Sequence, residues 1–159
     1  MVSLAEIKQQ ILEGKEIEET IVDINWKEFE GITSEILERH EFKTWNNFRF
    51  KTKRRYEIDI VASRNNKTIL IDCKHWSTGR YKSSALKKAI NDQEERLEEF
   101  CKFISKNLIA KTKFKIKQDQ KFSSIIVTLH EETLIRDSKS LVVPIWKLNN
   151  FLLNLDRNL

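Results

Sequence analysis

Apolar residues recur at helical spacing over Leu4, Ile7, Ile11 and Leu12, after Ser3 and before Gly14, which predicts a short amphipathic helix. A stronger periodic face, Trp26, Phe29, Ile32, Ile36 and Leu37, predicts a helix from 26 to about 40 that Asn25 can cap. Three strands are then expected at about 42–50, 56–62 and 68–75. The last two are joined by Ser63-Arg64-Asn65-Asn66-Lys67, where asparagine tolerates the left-handed backbone of a tight hairpin. Ile58-Asp59-Ile60-Val61-Ala62 and Ile69-Leu70-Ile71 are apolar at both alternating sets of positions, the pattern of central strands covered on two sides.

A long helix at about 83–108 carries the stripe Leu86, Ile90, Leu97, Phe100, Ile104 and Leu108, interrupted by one polar residue, Gln93. Next, Lys111, Lys113, Lys115 and Lys117 alternate with Thr112, Phe114 and Ile116, so an extended segment would set four lysines on one face. Such a face suits either nucleic-acid contact or protection of a strand edge. A buried strand at 124–129, a short strand at 141–143 and a helix at about 146–155 complete the chain. The order predicts an α/β three-layer sandwich, a central mixed β-sheet flanked by helices. One domain is expected over 1–159, with 1–24 as an N-terminal helical extension and a core at about 25–155.

Composition narrows the classes. Hydrophobic residues make up 40% and charged residues 33% of the 159, a globular balance. Lys and Arg number 29 against 24 Asp and Glu, a net charge of +5 that matters only where it clusters. Cys73 and Cys101 have no CxxC or Cys/His spacing, which argues against a zinc site or a disulfide framework. The N-terminal residues lack a signal-peptide pattern and no apolar run is long enough to span a bilayer, so a cytoplasmic protein without membrane contact is expected.

The candidate chemistry lies in two strands. Residues two apart on a strand share a face, so Asp72 and Lys74 stand side by side while Cys73 points away. A hairpin partner would bring Asp59 next to them. Carboxylates in runs this apolar are costly to desolvate unless paired or bound to a cation. One reading is a Mg²⁺ site held by Asp59, Asp72 and the Cys73 backbone carbonyl, with Mn²⁺ as a substitute and Lys74 beside a phosphodiester under attack. The other is an ordinary Asp–Lys ion pair at a strand end.

The segment Tyr56-Glu57-Ile58-Asp59-Ile60-Val61-Ala62, followed by Ile69-Leu70-Ile71-Asp72-Cys73-Lys74-His75-Trp76, resembles the motif of the PD-(D/E)XK nuclease superfamily. Within that restriction-endonuclease-like group it is most similar in look to Mrr-like restriction endonucleases and archaeal Holliday-junction resolvases. Ile58 stands where the name-giving proline would be, and Asp72 where glutamate is commoner. The resemblance implies a metal-dependent DNA endonuclease with Asp59, Asp72 and Lys74 as catalytic residues. It also implies Glu30, on the preceding helix, acting on the metal through water, and Gln93 facing the site from the following helix. On a helical wheel Glu30 lies roughly 90° from the centre of the apolar face, a rim position that also suits a solvated glutamate. Gln93 is equally read as a core polar residue that fixes helix register.

Arg49, Lys51, Lys53, Arg54 and Arg55, interleaved with Phe48, Phe50 and Tyr56, form the densest basic patch, and His75, Arg80 and Lys82 extend it. Such residues supply sequence-independent phosphate contact, so DNA is the expected partner. No base-reading motif is present. Specificity would then be for DNA structure, as in a dimeric junction resolvase, or would come from a protein partner, as a restriction or defence nuclease allows. The alternative outside the enzyme class is a non-catalytic nucleic-acid-binding or assembly module that retains the fold.

Overall fold

The computed structural model describes residues 3–15, 24–76, 82–129 and 140–158. Helix α1 (Leu4–Leu12) opens on a capping box in which Ser3 and Glu6 satisfy each other's backbone N–H groups, and Gly14 adopts φ +74 beyond its end. Helix α2 (Trp26–Arg39) begins with the same device, built from Asn25 and Glu28. Its buried face is Phe29, Ile32, Thr33, Ser34, Ile36 and Leu37. Trp26, expected on that face, is 55% exposed. It occupies the first helical position, ahead of the turn that meets the sheet.

Five strands follow: β1 (Lys43–Lys51), β2 (Arg55–Arg64), β3 (Lys67–Lys74), β4 (Lys121–Thr128) and β5 (Ser140–Pro144). They form one sheet in the order β1-β2-β3-β4-β5, antiparallel across the first three strands and parallel across the last three. The β2–β3 turn is the expected one, with Asn65 at φ +54. A parallel pair needs a crossover, and α3 (Lys82–Lys106) with the short α4 (Leu108–Lys113) supplies it between β3 and β4. Helices α5 (Ile145–Leu153) and α6 (Leu155–Asn158) end the chain.

The sheet is packed on both faces, as the doubly apolar strands predicted. On one side Ile60, Ala62, Ile69, Ile71, Ile125 and Val127 meet Ile7 and Ile11 of α1, Phe29, Ile32 and Ile36 of α2, and Leu148 and Leu152 of α5. On the other, Phe50, Tyr56, Ile58, Val61 and Leu70 meet Phe100 and Ile104 of α3 and Phe114.

Two expectations about the crossover fail for one reason. Helix α3 stops at Lys106, and the Asn107 side chain accepts from the Ala110 N–H to cap a new helix. Leu108 therefore leaves the α3 stripe and is 77% exposed. The lysine stretch is helical to Lys113 rather than extended, with Phe114 buried and Lys115 at φ +52. The four lysines share no strand face.

The local feature that matters most is a change of phase in the sheet. Ile58 packs on the α3 side and Ile60 on the α2 side, although residues two apart on a regular strand share a face. On β1, Trp45 and Phe48, three apart, both pack on the α3 side, with Asn47 at φ +54 between them. Pairs Asn46↔Ile60 and Phe48↔Ile58 flank the shift, so Asn47 stands opposite Asp59. Both strands rotate at the level of Asp59.

Candidate active site

Ladder pairing of β2 with β3 runs from Arg64↔Lys67 to Ile60↔Ile71 and goes no further. Where the next pair would fall, the Asp59 carboxylate takes over: its Oδ2 accepts from the Cys73 N–H at 2.8 Å. The strands thus part around a carboxyl group held by side chain to backbone. Asp72 follows Ile71 on β3 and is buried, with Oδ2 3.1 Å from Lys74 Nζ. Cys73, between them in sequence, packs against the α2-side core. The shared face of Asp72 and Lys74 and the approach of Asp59 are as the hairpin geometry requires.

Burial is the main reason that the Asp59 carboxyl is pushed up to about 7; the Cys73 N–H opposes it, and the charges of Asp72 and Glu30 add to it. Glu30 reaches the same region from α2. Its carboxyl is raised first by burial, then by Glu57 and Asp72. Burial, followed by Asp59 and Asp72, likewise pushes the Cys73 thiol well up. Three acidic groups from three elements therefore feel one another's charge.

Gln93 is fully buried, and its Nε2 donates to the carbonyls of Leu70 at 3.0 Å and Ile125 at 3.2 Å. It pins α3 across β3 and β4. Its Oε1 accepts from Arg96 Nη1 at 3.3 Å, and the same nitrogen lies 3.7 Å from Asp72 Oδ1. Gln93 is thus linked to Asp72 through Arg96, a residue for which the sequence pattern suggested no role. The available signal was the i, i+3 spacing of Gln93 and Arg96, which puts them on neighbouring helix positions.

The basic hairpin is only partly free. Arg49 Nε is 2.8 Å from Glu57 Oε2, while Lys53 and Arg54 each lie 3.1 Å from Glu95. Tyr56 OH donates to Glu95 at 2.8 Å, and the Arg54 guanidinium sits over the Tyr56 ring. Lys51 and Arg55 are exposed and make no ion pair among the described residues. An open groove of about 600 Å³ is lined by Arg49, Phe50, Lys51, Arg55, Tyr56 and Glu57. Glu57, also unforeseen, joins this groove electrostatically to Glu30. His75 is turned inward: its ring meets Phe29 edge-on at 5.9 Å, and its buried Nε2 makes no hydrogen bond among the described residues. Arg80 and the Lys82 side chain lie outside the described residues.

The donor set has the chemistry of a hard-cation site. Asp72 Oδ2 is buried and, despite the nearby ammonium, makes no hydrogen bond, so it keeps acceptor capacity in a place where leaving it unused is costly. Among the described residues no three His, Cys, Asp or Glu side chains converge into a metal cage. Two carboxylates suffice for Mg²⁺, which ordinarily keeps several waters and takes one or two protein carboxylates. Asp59 and Asp72 are the pair that could hold such an ion, with Lys74 and Arg96 as the adjacent positive charges.

Comparison with known proteins agrees with this architecture. The small subunit of the heterodimeric restriction endonuclease R.BspD6I superposes with a TM-score of 0.53 at 14% identity, over 94% of this chain and 79% of that one. That likeness shows the restriction-endonuclease-like fold. Protein VC1899 from Vibrio cholerae gives a TM-score of 0.47 at 13% identity, over 84% of this chain. This chain spans 33% of the length of that protein. An uncharacterized protein of Archaeoglobus fulgidus is 33% identical over 133 residues, 83% of this chain and 92% of its own length. The profile of the nuclease-related domain (NERD) matches residues 25–141, from the cap of α2 through Leu141 of β5. That span contains Glu30, Asp59, Asp72, Lys74, Gln93 and Arg96, and the chain belongs to the nuclease-related domain family.

Proposed function

We propose that the protein is a divalent-metal-dependent endonuclease that hydrolyses phosphodiester bonds in DNA. One observation carries the reading: Asp59 and Asp72 converge where β2 and β3 part, beside Lys74, with a buried Asp72 oxygen that has no hydrogen bond. A Mg²⁺ or Mn²⁺ ion bound there would activate water and offset charge building on the phosphate. Asp59 and Asp72 would hold it, together with the Cys73 carbonyl. The Cys73 N–H orients Asp59 for that role.

Lys74 is positioned to stabilise the scissile phosphate and the attacking oxygen. Glu30, whose carboxyl holds its proton more readily than an ordinary glutamate, is suited to pass a proton at the α2 edge of the site. Lys51, Arg55 and Arg49 line a groove that also holds Glu57, whose charge acts on Glu30, and would bind a phosphate backbone there without reading bases. That favours selection by DNA structure, in the manner of a junction resolvase acting as a homodimer, over recognition of a sequence.

Labelled linear, nicked, flapped and four-way DNA, each incubated with and without Mg²⁺, tests the reading. Metal-dependent cleavage lost in Asp59→Ala and Lys74→Ala supports it. No cleavage of any substrate, or full activity in either variant, overturns it, and a salt-dependent DNA affinity with no metal site would then indicate a binding module.

A further inference from the structure

Asp72 is met by two cations that arrive on different elements. Lys74 rides on the same strand, whereas Arg96 comes from α3, its Nη1 3.7 Å from Asp72 Oδ1 and 3.3 Å from Gln93 Oε1. Gln93 cannot turn freely, because both carbonyls taken by its Nε2 belong to the sheet. Its Oε1 therefore has a fixed direction, and the guanidinium is presented to Asp72 by a rigid carboxamide. Arginine keeps its charge at any physiological pH. The contact with Asp72 is nonetheless longer than that of Lys74 and involves one nitrogen, not the two-pronged grip that arginine makes where it is locked.

Entry of a divalent ion would upset the balance of charge around Asp72. The site brings together two carboxyl groups, Asp59 and Asp72, and two side-chain cations, Lys74 and Arg96. A divalent cation on the two carboxylates leaves both side-chain cations without their counter-ions. The more loosely held of them is Arg96, and the anion that restores the balance is a substrate phosphate.

We infer that Arg96 is a counter-ion switch of this site: it neutralises Asp72 in the absence of metal and is handed over to the DNA phosphate when the metal binds. The inference rests on the nuclease reading above. It also differs in sign from a structural role. If Arg96 only tied α3 to β3, removing it would loosen the site and weaken metal binding. As a switch it competes with the metal, so removing it strengthens metal binding while cleavage falls.

Calorimetric titration of Mn²⁺ into the wild type, Arg96→Gln and Arg96→Lys, with a thermal melt and a cleavage assay at saturating Mn²⁺ for each, separates these. Arg96→Gln is expected to bind Mn²⁺ about tenfold more tightly, the scale of one nearby unit charge acting on a divalent ion, and to cleave at least about tenfold more slowly. Arg96→Lys, which keeps the charge, is expected to stay within about threefold of the wild type in Mn²⁺ affinity. If Arg96→Gln proves unfolded in the melt, Arg96→Met keeps the aliphatic stem and reads the same sign. Unchanged or weaker Mn²⁺ binding by a folded charge-removing variant overturns the switch alone. A wild type with no Mn²⁺ binding that depends on Asp59 and Asp72 overturns the nuclease reading and the switch together.

Discussion

Two carboxylates in this protein are each approached by two cations, yet they are left in opposite states. Glu95, near the surface of α3, receives Tyr56 OH at 2.8 Å and both Lys53 and Arg54 at 3.1 Å, so that each of its oxygens is engaged. The Tyr56 hydrogen bond, then those from Lys53 and Arg54, hold its carboxyl down at about 2. Asp72 has Lys74 at 3.1 Å and Arg96 at 3.7 Å, and still one oxygen without a hydrogen bond. The charges match and the geometry differs. Lys53 and Arg54 lie in the bend between β1 and β2, free to close around their partner, while Lys74 is carried by a strand and Arg96 reaches Asp72 with a single nitrogen at longer range. A saturated carboxylate is a clasp. An unsaturated one, buried, keeps acceptor capacity that a bound cation could use.

The largest expected effect separates the two directly. Asp72→Asn should lower metal-dependent DNA cleavage by about 10²–10³-fold, the scale for removing one charged group from a reacting centre, whereas Glu95→Gln should stay within about threefold. Comparable losses in a fluorescent hydrolysis assay would erase the contrast. Acidity gives the next test. Because the folded Asp59 carboxyl titrates near 7 against 3.8 for an ordinary aspartate, it stabilises the metal-free fold fully below pH 3.8, and that contribution is lost as pH rises through about 7. In EDTA the wild type should melt at a lower temperature at pH 8 than at pH 5, and Asp59→Asn should remove most of that slope. An unaltered slope would show that Asp59 is not the group responsible.

A third measurement addresses what holds Arg96 in place. Gln93→Leu leaves the Leu70 and Ile125 carbonyls without their side-chain donor and should cost about 1–3 kcal/mol in urea denaturation. A neutral result would mean that the carboxamide does not anchor α3. The smallest effect belongs to the clasp. Glu95→Gln releases Lys53 and Arg54, so the plot of log DNA affinity against log salt should steepen by up to about 2, one unit per phosphate gained. No steepening would place both side chains outside the DNA path.

The residues of the site were legible where a strand's period of two sufficed. Asp72 and Lys74 had to share a face, Asp59 had to lie across the hairpin, and Gln93 stood out as one polar place in an apolar stripe. The phase change at Asp59 was hidden, because it depends on Asn47, a residue of the neighbouring strand that takes φ +54. Arg96 was hidden for another reason: an arginine on the flank of an amphipathic helix looks solvated until the strand beneath it is known to carry a buried carboxylate. Likewise, the basic hairpin could be read as a cluster of charges but not as one already engaged by Glu57 and Glu95, which lie on β2 and α3. The lysine stretch misled because alternation is compatible with a strand, while the Asn107 cap directs the chain into a helix.

The left-handed Asn47 also acts at the rim of the sheet. Among the described residues β1 is an outer strand, and its far side offers unpaired backbone groups that another chain could extend. Lys43, Arg49 and Lys51 put charge along that strand, and the reversal at Asn47 breaks it into two short runs that face different ways. No long flat template is presented. The same local twist that turns Asp59 into the gap between β2 and β3 therefore also guards a strongly apolar sheet against edge-to-edge aggregation.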